Sequence, residues 1–248
     1  WFRPADEAIR DLRFALRTLA RARGFALAVI LTLGLGIGAN TAIFSVVRGV
    51  LLEPLAFRDS DRLVRVWHAQ PSGGVEQGAW SEPDFLDIRA ESQAAQSMGG
   101  FFFADGLIGV DMTGKGNPER LNTALVTDGF FQALGTNALV GRTLLPEEHV
   151  PGRHAIVLSH GLWTRRFGSD PSIVGQTLIL NDAVFQVVGV MPPGFIYPAN
   201  QSIDGWIPLA FFGPDNIGRV RGAHFLQVFA RLKPGATEPQ LRTELSGI

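Results

Sequence analysis

Three short stretches of this chain carry residue types that could do chemistry. Gly109 to Gly116, GVDMTGKG, comes within one residue of the phosphate-binding loop G-x-x-x-x-G-K-[ST]. It lacks the final hydroxyl that would hold magnesium, and Asn117-Pro118 follow where such a loop opens a helix onto the phosphate. A hairpin turn with a solvated lysine is the expected structure. Ser159 and His160 are adjacent, as a nucleophile and its base might be in space, but the chain has no G-x-S-x-G elbow to expose a serine. Ser159 is expected to cap a helix whose first turn holds His160. Glu147, Glu148, His149 and His154 are potential metal ligands, yet their spacing matches no helical H-E-x-x-H pattern and they lie on a Pro/Gly loop. The sequence therefore assigns no catalytic residue, cofactor site or metal site.

The elements around these stretches read as short strands interleaved with short helices. Leu63 to Ala69 alternates as a strand, and Ser81-x-x-Asp84 caps a helix running through Phe85, Ile88 and Ala95. Gly99 to Asp111 reads as strand with a turn, and Arg120 to Val126 as another strand. Asp128 opens a short helix closed by Gly135, and Ala155 to Leu158 is a short buried strand before the Ser159 helix, which Gly168 ends. Gln176 to Leu180 and Val184 to Met191 make a hairpin, and His224 to Leu232 is a strand. Thr237-Glu238-Pro239-Gln240 then opens a last helix with Leu241 and Leu245 on its apolar face. The aromatic runs Phe101 to Phe103, Phe130-Phe131 and Phe211-Phe212 are expected in the core. The pattern is that of an α+β domain of mixed α/β character in two lobes.

Ahead of this domain, Gly24 to Val47 holds 24 residues without a charge, between Arg23 and Arg48. As a helix it spans roughly 36 Å, enough to cross a hydrocarbon core of about 30 Å with some tilt. Its apolar run is longer than that of a cleaved signal peptide, and Arg48 to Pro54 offers no small-residue cleavage site, so an uncleaved transmembrane helix is expected. Gly34 and Gly38, four apart, allow another membrane helix to approach closely. Before the span, Ile9, Leu12, Leu16 and Leu19 repeat on one helical face and Arg10, Arg13, Arg17 and Arg21 on another. That is a basic amphipathic helix suited to the interface of an anionic bilayer. Five arginines lie in the 15 residues before the span and three in the 15 after it, which places the N-terminus in the cytoplasm. The expected organisation is residues 1–23 as a cytoplasmic or interfacial helix, 24–52 as the membrane helix and 53–248 as an extracytoplasmic domain. A net charge of -1 argues against a nucleic-acid partner, and the absence of cysteine leaves an exported domain to fold by its core alone. The absent initiator methionine and the abrupt last helix are read as marks of a fragment.

Several of these segments together resemble a known family. Asp11 to Ala20 running into LTLGLGIGANTAIFSVV (Leu31 to Val47), then LLEPLAF (Leu51 to Phe57) and DRLVRVW (Asp61 to Trp67), resemble the first membrane helix of MacB-like ABC transporter permeases. TDGFFQALG (Thr127 to Gly135), GRTLLPEE (Gly141 to Glu148), VLSHGLWTRRFGSDPSIVG (Val157 to Gly175), LILND (Leu178 to Asp182), VVGVMPPGF (Val187 to Phe195) and DGWIPL (Asp204 to Leu209) are similar to the periplasmic core domain of that family. The sub-branch most resembled is the duplicated permeases, with two such units in one polypeptide.

The resemblance implies an export-type permease half in the cytoplasmic membrane: one helix, a large extracytoplasmic domain of two mixed α/β lobes, then three further helices. It implies no catalytic residues here, because a separate or fused ABC ATPase hydrolyses ATP. The implied partners are that ATPase, a second permease half or a second copy, the lipid bilayer, and in some systems a periplasmic adaptor. The domain would couple ATPase motion to substrate efflux. The competing expectation is a membrane-anchored periplasmic enzyme or binding module that works alone.

Overall fold

The structure is a computed structural model, and it describes residues 10, 14, 21–47, 57–70, 74–104, 108–114, 116–198, 201–212 and 220–247. The chain divides into two compact units, Trp1–Pro54 and Leu55–Ile248.

The first unit contains helix α1, Arg23–Val47. Its Arg23–Thr41 stretch has a mean hydropathy of 1.7 and is not buried at all, so it is long and apolar enough to cross a membrane. Phe25, Leu27, Ile30, Leu31, Leu33, Leu35, Ile37 and Phe44 each expose more than half of their surface. Covering one such side chain is worth about 1.5–3 kcal/mol, so leaving all eight in water would forgo an energy comparable to the whole stability of a domain. Thr32 donates its hydroxyl to the Ala28 carbonyl at 2.8 Å, which satisfies it without water. Arg10 and Arg21 are helical and exposed. Arg13 and Arg17, and the leucine face opposite them, lie outside the described residues.

The second unit is built on a ten-stranded sheet. Its elements are β1 (Leu63–Val66), β2 (His68–Gln70), β3 (Val75–Gly78), α2 (Glu82–Glu91), β4 (Ala95–Phe102), β5 (Gly109–Thr113), β6 (Glu119–Val126), α3 (Phe130–Leu134), β7 (Val140–Gly141), β8 (Ala155–Leu158), α4 (His160–Phe167), β9 (Thr177–Leu180), β10 (Ala183–Val190), β11 (Gly205–Pro208), β12 (Gln227–Leu232) and α5 (Glu238–Leu245). The strand order is β1-β12-β4-β6-β11-β8-β10-β9-β5, with β7 beside β10 and β2-β3 as a separate ribbon. Strand β5 pairs with both β9 and β6, so the path from β6 through β11, β8, β10 and β9 returns to β6. The two lobes thus share one sheet: a ring of β6, β11, β8, β10, β9 and β5, and an open part of β1, β12 and β4 that joins it at β6.

The period-two alternation of strands distributes apolar residues to both faces. One cluster takes Leu121 and Leu125, Ile156 and Leu158, Phe185 and Val187, and Val228 and Ala230. It receives Phe85 and Ile88 of α2, Leu162 and Trp163 of α4 and Leu241 of α5. The other takes the intervening Ala124 and Val126, Ala155 and Val157, Val188 and Phe229, and is covered by Phe130, Phe131 and Leu134 of α3.

Local signals were read correctly where the structure meets them locally. Ser81 Oγ accepts from the Asp84 N–H and Ser159 Oγ from the Leu162 N–H, while Gly135 and Gly168 close their helices in left-handed conformation. Four boundaries differ from expectation, among them the start of β4, at Ala95 rather than Gly99. Leu63 to Ala69 is not one strand: it breaks at Trp67, and β2 leaves the sheet to pair with β3. Helix α2 stops at Glu91, because Ser92 is extended and Glu244 Oε2 from α5 takes the Gln93 and Ala94 N–H groups at 3.0 and 2.9 Å. Strand β12 begins only at Gln227.

Gly129 and Gly189 mark the closest approaches. Gly129 has φ +89° at the start of α3, and a Cβ there would overlap the Met98 carbonyl oxygen. At Gly189 a Cβ would overlap the Arg142 carbonyl beside the register shift of β10 against β8. Gly129→Ala and Gly189→Ala should each lower the urea midpoint by an amount equal to at least about 2 kcal/mol, from left-handed strain in the first and overpacking in both. A control such as Gly152→Ala, which meets nothing within 4 Å but has φ +83°, should lose only the strain.

Candidate functional site

The three stretches with chemical potential are each absorbed into the fold. Gly109 to Thr113 is strand β5, and Gly114 and Gly116, with φ +99° and +84°, turn the chain back toward β6. No helix opens there, and the Asn117 carbonyl accepts from Arg166 Nη2 at 2.7 Å. Lys115 lies outside the described residues. Ser159 is buried and its hydroxyl oxygen is held by the Leu162 N–H at 3.1 Å. His160 turns instead to Thr164 Oγ1, 3.5 Å from Nδ1, and meets Trp163 edge-on.

Glu147, Glu148, His149 and His154 are not brought together. The Glu148 carboxylate takes a two-pronged bond from Arg142, at 2.8 and 2.9 Å, and a third from the Leu145 N–H at 2.8 Å. Burial raises its pKa, but the Arg142 guanidinium and the Leu145 N–H outweigh this and hold it below the ordinary value. His149 is pushed down chiefly by burial, against the opposing pull of Asp128 and Glu148. His154 stacks on Phe185 with ring centroids 5.0 Å apart. Among the described residues no group of three His, Asp or Glu side chains is placed to hold a metal.

On α1, the helical period puts Gly34 and Gly38 on one face, and a Cβ at either would meet nothing within 4 Å.

The structure also shows a feature that motif reading missed. A cleft of about 870 Å³ lies between β1, α2 and α5, with Val64, Val66, Ile88, Leu241 and Leu245 among its apolar walls. At one end His68, Trp80 and His224 pack together, the His68 ring 5.1 Å from Trp80 and 4.9 Å from His224. Trp80 Nε1 donates to the Val66 carbonyl at 2.9 Å. The charges at the rim are paired: Arg221 with Asp84 and Asp87, at 2.6 and 2.7 Å, and Arg242 with Glu238 at 3.0 Å. Its residues come from positions 64–88 and 221–246, so no local pattern announces it.

Both depressed groups on the Glu148 loop act in the same direction with pH. A group whose pKa is lower folded than unfolded stabilises the fold above its unfolded value and loses that contribution as pH falls. His149 should therefore begin to cost stability below its ordinary 6.5, and Glu148 below its ordinary 4.5. Denaturant midpoints measured from pH 7.5 to 4 should fall in these two steps, and His149→Gln should flatten the first. Glu148→Gln should cost about 1.5–3 kcal/mol at pH 7, the value of bonds to a charged group.

The sequence pattern of the MacB-like periplasmic core domain family matches residues 26–248. No curated protein matches this sequence. Solved structures that share the fold include the following three. The extracellular domain of the ABC-type transporter YknZ from Gram-positive bacteria is 11% identical, with a TM-score of 0.52 over 73% of this chain and 88% of that one. A domain of a putative permease protein from Porphyromonas gingivalis is 18% identical, with a TM-score of 0.56 over 77% and 84%. The periplasmic region of MacB from Actinobacillus actinomycetemcomitans is 13% identical, with a TM-score of 0.53 over 75% and 80%. With its pattern matched from within α1 to its last residue, this chain belongs to the MacB-like periplasmic core domain family.

Proposed function

We propose that this chain is part of the permease of an export-type ABC transporter, and that its second unit couples the motion of a separate or fused ATPase to efflux of a substrate outside the cytoplasmic membrane. The observation that carries this reading is the family match joined to α1, a helix long and apolar enough to cross a membrane. Of the domains that share the fold, that of YknZ comes from an ABC-type transporter and that of P. gingivalis from a putative permease by name. The side chains with chemical potential support a mechanical rather than catalytic role: Ser159 caps a helix, Glu148 pairs with Arg142, and His154 stacks on Phe185.

In this reading residues 1–23 lie at the cytoplasmic face with the Arg10, Arg13, Arg17 and Arg21 face toward headgroups, 24–52 cross the inner membrane, and 53–248 are periplasmic. Gly34 and Gly38 pack against another helix of the permease. An ABC ATPase and a second permease half or second copy complete the machine, with a periplasmic adaptor where the system uses one.

Three measurements test this. The chain has no native cysteine, so Val150→Cys, at an exposed position, should react with an impermeant thiol reagent in cells with a permeabilised outer layer. Arg10→Cys should be protected; the reverse pattern would invert the topology. Purified residues 55–248 should show no heat of ATP binding, and measurable nucleotide affinity would restore an enzymatic reading. Replacing Gly34 and Gly38 together by leucine should reduce co-purification of partner membrane helices at least tenfold, with unchanged recovery counting against the packing face.

A further inference from the structure

One buried charge in the second unit is left short of a partner. Arg231 of β12 is 5% exposed, and its guanidinium has three nitrogens to satisfy. Nε donates to the Ala133 carbonyl at 2.8 Å and Nη1 to the Asp59 carbonyl at 3.1 Å. Nη2 is shut from solvent and has no hydrogen-bond partner among the described residues. A buried donor on a cation is costly to leave unmet, and native folds seldom leave one.

The neighbouring acceptors do not meet it. The carbonyls that end α3 are spent: Phe131 accepts from the Thr136 N–H, Gln132 from the Gly135 N–H, Ala133 from Arg231 itself and Leu134 from Thr136 Oγ1. The carboxylates whose charge reaches Arg231 are Asp59 and Asp61. Asp59 is bonded to Arg62 at 2.5 Å, and Asp61 is exposed and bonds no arginine among the described residues. Arg58 and Arg62 add positive charge, and together with burial they depress the Arg231 pKa. The approach to Nη2 is bounded by Gly135, which is exposed and closes α3 at φ +66°. A Cβ there would lie 3.1 Å from Nη2 and 3.7 Å from the Arg58 Cβ, so glycine keeps a side chain out of the space between them. Arg58 is itself exposed and makes no ion pair among the described residues.

We propose that Arg231, Arg58 and Gly135 frame an oxyanion site whose ligand is a phosphate group, either free or carried by a lipid headgroup. One phosphate oxygen takes the Nη2 N–H beside Gly135, and the exposed Arg58 side chain turns its fork of donors onto the others. The anion supplies the negative charge that the buried guanidinium lacks. Its several acceptor oxygens suit two guanidinium groups arriving from different sides, where a carboxylate suits a single fork. A headgroup source is considered because Arg58 follows closely on Val47, the end of α1. Only that source rests on α1 lying in a membrane; the site itself does not depend on the transport reading.

Phosphate titration of the 248-residue chain in detergent tests the site, read as the thermal midpoint at fixed pH and at an ionic strength held constant with chloride. Concentrated phosphate stabilises folded proteins in general, so the expected sign is a rise that saturates at low concentration. Arg58→Gln, at an exposed position, should raise the half-saturating phosphate concentration at least tenfold, and Arg153→Gln, exposed in the ring, should leave it unchanged. Arg231→Lys, which removes Nη2, should abolish saturation; if that variant does not fold, Arg58→Gln decides alone. A rise that never saturates, or one equal in the parent chain and Arg58→Gln, overturns the site. Acetate saturating at the same concentrations overturns phosphate as its ligand. In nanodiscs containing phosphatidic acid a headgroup ligand should remove the response to added phosphate, while discs of a phosphate-free glycolipid should keep it. A response kept in both assigns the site to free phosphate.

Discussion

The structure depends on one strand being buried on both faces and used on both edges. Strand β6 carries Leu121, Thr123, Ala124, Leu125 and Val126, each all but inaccessible to solvent. Its backbone groups divide by parity. Asn122 accepts from the Asp204 N–H at 2.7 Å toward β11, while Thr123 donates to the Ile108 carbonyl and Thr127 to the Gly100 carbonyl on the opposite edge. One edge is thus shared end to end by β5 and β4, the other is held by β11, and the ring and the open part of the sheet cannot separate without stripping bonds from buried groups. An unpaired buried amide costs about 1–3 kcal/mol, so this shared strand sets a high barrier to independent movement of the two parts.

The ends of β6 are reinforced where polar groups must go inside. Asp204 is buried, and its carboxylate accepts from the Asn122 N–H at 3.0 Å and from Arg165 at 3.3 Å, while its carbonyl takes the Ser159 N–H. A single acid thus ties β6, β11 and the start of α4. At the other lobe Arg231 is buried without a carboxylate partner among the described residues, and it donates to the Ala133 carbonyl at 2.8 Å and the Asp59 carbonyl at 3.1 Å. Ala133 lies in the last turn of α3, where exposed carbonyls favour a cation. Burial lowers the Arg231 pKa from its ordinary value, yet carbonyl oxygens and the helix end still accommodate the charge.

The elements most legible in the sequence are those decided within four or five residues. Caps at Ser81 and Ser159, closing glycines at 135 and 168 and the Asn181-Asp182 turn need only local chemistry, and Asn181 and Asp182 do take positive φ. The strands β7 and β11 escaped because Val140–Gly141 and Gly205–Pro208 are too short to show a period. Trp67 ends β1 because the next residues pair with β3, a contact that alternation cannot reveal. The same limit applies to sites. Ser159 and the GVDMTGKG turn could be assigned structural roles from their immediate context, whereas the pairing of Glu148 with Arg142 could not. The cleft joins residues more than 130 positions apart and was invisible to spacing.

The proposed mechanical role places its heaviest demand on the start of the second unit, and residues 57–62 are fastened at three points. The Phe57 ring meets Phe195 and Tyr197 edge-on, at centroid distances of 6.1 and 5.6 Å. Tyr197 also contacts Phe101, Phe130 and Phe229, and burial raises its pKa to about 12, so the cluster stays uncharged. Two residues on, the Asp59 carbonyl is held by Arg231 of β12, and Arg62 Nη1 reaches the Leu232 carbonyl of the same strand at 3.3 Å. Under the proposed role, a displacement arriving at Phe57 would be delivered to β12, and through its ladder with β4 to β6. Under that role a flexible tether would dissipate such a displacement in loop motion, whereas residues 57–62, held in this way, would pass it into the shared sheet.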